Sequence, residues 1–221
     1  MATWVAHFYL TEQILAHGFD LDRRMFVVGN IAPDSGVLNE ERNGYIPDKS
    51  VSHWKNAAGD IDAERFYAEC IHGQTFDHAE HAFCLGFYCH LLADVVWTKT
   101  LWEPKKQTPL YAKPLTDDPQ FIWEIKKDWY GLDFLYLKAH PQSIFYTDFV
   151  HVETVPDYLD VFPAGAFTKR VQDTRAFYLN GATWELERPY TYLNQAEWDA
   201  YLAEATAVIL AALTDKDVSR R

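Results

Sequence analysis

The chain has 221 residues, 48% hydrophobic and 16% aromatic, which is enough to build one well-packed domain and too apolar for a disordered chain. Its formal net charge of -12 lacks the basic footprint of a nucleic-acid binder and disfavours tight docking on an anionic bilayer. The basic clusters that could offset this average are short, such as Lys105-Lys106, Lys126-Lys127 and Arg220-Arg221.

Thr3 is placed to cap a first helix that runs to about His17 and stops at Gly18. Trp4, His7, Phe8 and Leu15 share its apolar surroundings, so His7 is set among core residues. Met25 to Ile31 is a short apolar segment that leads into Ala-Pro-Asp-Ser-Gly, residues 32–36, where Pro33 and Gly36 predict a turn. Residues 37–52 read as polar and irregular. A helix is expected from about Ala63 to Gln74, then a long central helix from Asp77 or His78 to Leu101. The Pro- and Lys-rich stretch 103–120 is expected to be a loop, suited to a lid or an insertion. Gln120 to Lys138 is helical again, whereas residues 141–165 give no clear pattern. In the last helix Asn194 and Glu197 form a capping box ahead of the stripe Trp198, Tyr201, Leu202, Ala205, Ile209 and Leu213. With no repeat and no period-2 strand, the expected fold is all-α, a helical bundle in a single domain over residues 1–221.

The stretch GFYCHLLADVVW, Gly86 to Trp97, carries the chemistry. His90 and Asp94 stand at i and i+4, one above the other on one face of an apolar helix. Burying an imidazole with a carboxylate costs free energy unless something compensates, and a metal ion suits that combination. His7, Asp34 after Pro33, and His53 in Ser-His-Trp are further candidate ligands. His78 and His81, at i and i+3 on the first turns of the same helix, fit exposed polar positions as well as accessory ligands. Trp97, Trp102, Trp123 and Trp129 read as core packing, or as an apolar mouth for acyl chains.

In this order, His7, Asp34 in IAPDSG, His53 in SVSHW, then His90 and Asp94 in GFYCHLLAD, the pattern resembles the zinc-dependent phospholipase C family, which is related to single-strand-specific zinc nucleases. The resemblance covers the motif-bearing residues 1–102 and fades over a divergent helical part, 103–221. It implies an all-helical fold in which Asp34, His53, His90 and Asp94 hold one zinc and Asp94 bridges to a second held by His7. It also implies a zinc-dependent hydrolase of phosphate esters, in which metal-activated hydroxide attacks phosphorus. Asp34 is the residue expected to orient or deprotonate the attacking water. One to three zinc ions, or other divalent cations, are implied as cofactors. The implied partner is a small phosphate ester or a lipid head group.

The sequence departs from the family pattern at two places. Trp4 is internal, so its nitrogen is an amide rather than the free amine with which secreted members begin. Val95 to Trp102 holds no histidine where the family has a ligand. Glu124 and Asp128, four residues apart, offer a carboxylate site for an additional, harder cation, with Asp133 nearby. Two other readings stand beside the enzyme. One is a non-catalytic protein with a residual structural metal. The other is a helical HD-type metal phosphohydrolase, although the adjacent His-Asp dipeptide of that class does not occur here.

No signal-peptide pattern and no apolar run of the roughly 20 residues needed to span a bilayer is visible. Cys70, Cys84 and Cys89 lack CxxC spacing and read as reduced thiols. Together these predict a cytoplasmic protein without integral membrane association.

Overall fold

The computed structural model describes residues 2–181 and 184–220, and over these the chain is helical apart from one two-stranded hairpin. Helices α1 (Trp4–Ala16) and α2 (Arg23–Gly29) are followed by a 3-10 turn at Ala32–Asp34. Strands β1 (Val37–Leu38) and β2 (Tyr45–Ile46) then pair antiparallel, with Val37 opposite Ile46. Helices α3 (Lys49–Ser52) and α4 (Ala63–Cys70) lead to the central α5 (His78–Trp97), which continues through a π-helical turn, Thr98–Trp102, into α6 (Glu103–Lys106). After α7 (Pro109–Asp117) and a 3-10 turn at Pro119–Phe121 come α8 (Ile122–Ala139), α9 (Ile144–Thr147) and a 3-10 turn at Phe149–His151. The chain ends with α10 (Ala166–Asn180) and α11 (Gln195–Asp215). None of the described helices is long and apolar enough to cross a membrane.

Helix α5 is buried on every side from Ala82 to Leu91, the pattern of a helix at the centre of a core rather than on its surface. Asp77 caps it by accepting from the Glu80 N–H. Packing against α2 is unusually close, for a sequence-level reason. A Cβ at Gly86 would lie 2.3 Å from the Phe26 carbonyl oxygen, and one at Gly29 would lie 2.1 Å from that of Phe83. Only paired glycines let the two backbones touch there. Helix α11 covers another flank: its six stripe residues are all buried, and the Asn194–Glu197 capping box is formed in both directions. Trp97 meets Tyr201 and Trp129 edge-on, each at 5.0 Å between ring centroids.

Several expectations need correction. The stretch 103–120 is mostly helical, because Pro104 and Pro109 fall in the first turns of α6 and α7, where proline's missing N–H is tolerated. Residues 37–52 are not wholly irregular, since they contain the hairpin and α3. Thr3 does not cap α1 with its side chain; its hydroxyl donates instead to Asp133 at 2.6 Å. Trp123 is exposed rather than in the core. Helix α10 has no counterpart in the sequence reading.

Candidate metal centre

Four separate stretches meet at one point. Helix α1 contributes His7, the 3-10 turn contributes Asp34, the C-terminal end of α3 contributes His53, and α5 contributes His90 and Asp94. His7, His53, His90 and Asp94 are fully buried, while the Asp34 side chain keeps 11% of its surface exposed. Asp94 sits between the imidazoles. Its Oδ1 lies 3.8 Å from His7 Nε2, and its Oδ2 lies 3.5 Å from His90 Nε2 and 3.7 Å from His53 Nε2. On the other side, Asp34 Oδ1 is 3.7 Å from His53 Nε2. The rings of His7 and His90 stack in parallel, 3.9 Å apart.

The surrounding residues fix how these side chains point. His90 Nδ1 donates to the Asn30 carbonyl at 2.8 Å, so its Nε2 presents a lone pair to the cluster. The close α2–α5 approach brings that carbonyl into reach, since Asn30 directly follows Gly29. His53 Nδ1 pairs with the Ser52 hydroxyl at 2.9 Å, again leaving Nε2 inward. The Trp4 indole N–H donates to Asp34 Oδ2 at 2.9 Å. The Ala2 N–H donates to Asp94 Oδ1 at 2.8 Å.

These donors fit a cation. His7 Nδ1 and Nε2, His53 Nε2, His90 Nε2 and Asp94 Oδ2 are buried and have no hydrogen-bond partner among the described residues. Orphaned polar atoms of this kind are costly, and one on each of His7, His53, His90 and Asp94 in one spot calls for a common partner. Their separations of 3.5 to 3.8 Å exceed a hydrogen bond but suit donors that share an ion with bonds of about 2 Å. Two sets of three are close enough to do so, His7–His90–Asp94 and Asp34–His53–His90.

The electrostatics agree. Burial, reinforced by His90, depresses His7 to about 3, and burial depresses His53 to about 4, so both imidazoles are neutral donors near pH 7. Burial also acts on His90, but the carboxylates of Asp94 and Asp34 outweigh it and raise that imidazole. Burial would raise Asp34, yet Lys49, His90 and His53 hold it below the usual carboxylate range; Asp94 is likewise held well below it. Both acids are therefore ionised.

Asp34 forms part of the wall of a surface cleft that also contains Trp4, Lys49, Trp123, Lys126 and Arg170. Lys49 Nζ stands 3.6 Å from Asp34 Oδ1. Among the described residues, this is the one face of the cluster at which a donor meets the surface.

The remaining histidines stay outside. His78 contacts Asp20, and His81 stacks on Phe76. Glu124 and Asp128 do not join the cluster either. Glu124 pairs with Lys127 on the surface, while Asp128 is bound by Arg188 and by the backbone N–H groups of Tyr192 and Leu193. Both carboxylates thus have cationic or N–H partners in the fold. Asn30, Ser52, Lys126 and Arg170 were missed from sequence. Ser52, adjacent to His53, was the only one with a local signal.

This all-helical scaffold with a buried histidine–aspartate cluster has a match among known families. Residues 6–106 fit the family model described as zinc dependent phospholipase C. No curated protein and no solved structure matches the chain significantly.

Proposed function

We propose that this protein is a zinc-dependent hydrolase of phosphate esters, with its ions held by His7, Asp34, His53, His90 and Asp94. The observation that carries this reading is the convergence of five donors from four stretches of chain, most of them buried with unpartnered atoms turned toward one another. Zinc bound there supplies a Lewis acid that makes water nucleophilic near neutral pH and offsets charge developing on a phosphoryl group.

The chain's own residues divide the remaining work. Asp94, with one oxygen toward His7 and the other toward His53 and His90, is placed to serve both donor sets. Asp34 is ionised and faces the cleft, so it can accept a hydrogen bond from water and aim it at a phosphorus atom held there. Its Oδ2 accepts the Trp4 N–H, while Oδ1 faces His53 and Lys49. The free thiols of Cys70, Cys84 and Cys89 support a cytoplasmic setting.

The test is elemental analysis of protein purified without chelator, alongside turnover of soluble phosphate esters before chelation, after it, and after zinc is restored. Zinc at one or more ions per chain with metal-dependent turnover is expected. A metal-free protein refutes the reading. Retained zinc with no ester turned over favours the non-catalytic alternative, which rests on the absence of histidine from Val95 to Trp102.

A further inference from the structure

We infer that the cleft beside Asp34 selects net-anionic phosphate esters and rejects those with a choline-like cation. This inference rests on the reading of the cluster as a phosphate-ester site and names the substrate class of that site. Among the described residues, three cationic side chains, Lys49, Lys126 and Arg170, line the cleft, and Asp34 is the one carboxylate lining it. That balance opposes a chain whose net charge is -12, so it is local and does not follow from composition.

Two of the cations, Lys126 and Arg170, are held against aromatic rings. The Arg170 guanidinium lies over the Trp4 ring at 5.2 Å, and its buried Nε has no hydrogen-bond partner among the described residues. Lys126 Nζ lies over Trp123 at 4.9 Å and within 6.0 Å of Trp129. Burial, followed by repulsion from Lys49, lowers the Lys126 pKa, so the two ammonium groups share a space that favours an anion between them. Trp4 links the wall to the cluster, with its ring under Arg170 and its N–H on Asp34.

A phosphate held against Asp34's neighbours therefore projects the rest of its molecule along a cationic wall. A carboxylate, a second phosphate charge or a neutral glycerol is accepted there. A trimethylammonium group is repelled, and the indole faces of Trp4, Trp123 and Trp129 that would otherwise attract it already carry Arg170 or Lys126.

The test compares glycerol phosphate with phosphocholine, which share the phosphate monoester and differ in the charge of the attached group. Calorimetric titration of the protein as purified, with its zinc content recorded, is expected to show glycerol phosphate binding about tenfold tighter. In Lys126→Ala/Arg170→Ala protein the preference should fall to about threefold or less, with zinc content unchanged. The charge-retaining pair Lys126→Arg/Arg170→Lys should keep it, which separates lost charge from lost packing. A short-chain phosphatidic acid arm distinguishes the two sources of this chemistry: tighter binding than glycerol phosphate assigns a lipid head group, and equal binding a soluble ester. Equal affinity of the wild-type protein for glycerol phosphate and phosphocholine, or a preference that survives the alanine pair, overturns the inference. Failure of the hydrolase reading shows separately, as missing zinc or missing turnover.

Discussion

The Trp4 indole N–H and Asp34 Oδ2 are joined by a 2.9 Å hydrogen bond that ties the first turn of α1 to the cleft-facing acid of the cluster. The ring that makes this bond also packs edge-on against Phe177 and Tyr178, so its orientation is set by the core. Trp4 thus acts on Asp34 as a positioning residue. Trp4→Phe keeps most of the ring and deletes the donor. A hydrogen bond to a charged acceptor is worth about 1.5–3 kcal/mol, so turnover of a soluble phosphate ester should fall roughly tenfold or more. Zinc content should stay at the wild-type value. Unchanged kcat/KM in this variant would show that Asp34 needs no such partner.

Removing His90 should have the opposite profile, a loss of metal together with a loss of stability. The side chain takes part in both sets of donors and neighbours Asp94 in the core. In His90→Ala, Asp94 stays buried without its nearest imidazole, a change that costs about 3–5 kcal/mol in buried ion pairs. Elemental analysis and urea unfolding read the two effects separately. Full zinc content in folded His90→Ala protein would remove His90 from the site.

Gly86→Ala tests whether the glycine contact between α2 and α5 serves the cluster. The new methyl group would meet the Phe26 carbonyl, which cannot rotate away, and α2 must shift. Overpacking of this kind costs about 1–3 kcal/mol. The shift also moves Asn30 off His90 Nδ1, so zinc affinity should fall although no donor has been touched. A competition titration against a zinc-binding dye measures it, and wild-type affinity would separate the helix contact from the site.

Asp133 gives the fold a pH dependence of definite sign. Burial pushes its carboxyl from 3.8 up to about 8, against the hydrogen bonds from Thr3 and Tyr178. The folded protein therefore binds a proton there that the unfolded chain releases near pH 4. Stability from this residue is complete below about pH 4 and is lost as pH rises toward 8. Asp133→Asn cannot ionise and should flatten the decline. Urea midpoints at several pH values between these limits test this; an equal slope in the two proteins would assign the decline to other groups.

Much of the cluster was legible in the sequence because its signals are local. His90 and Asp94 stand at helical spacing in an apolar run, and Asp34 and His53 sit in short, distinctive contexts. The capping box of α11 was legible for the same reason, since all of its parts lie within four residues. Helix α10 had a weaker sign: Phe167, Val171, Thr174 and Tyr178 recur at helical spacing, but Gly165 in a left-handed conformation stands where a capping side chain would mark the start, and charged residues fill the exposed face. The prolines of 103–120 were read as breakers because their position within a helical turn is not visible before the helix is known. Thr3 was misread because its partner, Asp133, lies 130 residues away. The cationic cleft was hidden likewise, since Lys49, Lys126 and Arg170 are brought together only by the fold.

The unequal burial of the cluster has a kinetic consequence. Four of its side chains have no exposed surface, and the fifth, Asp34, opens onto the cleft. An ion held among them can be approached by a chelator from that side alone, past Lys49 and the ring of Trp4. Metal exchange should then proceed at the pace of local opening of the protein rather than at the pace of collision. The rate of zinc release into excess chelator would level off as chelator is raised, and that plateau would measure how often the Asp34 side of the molecule opens.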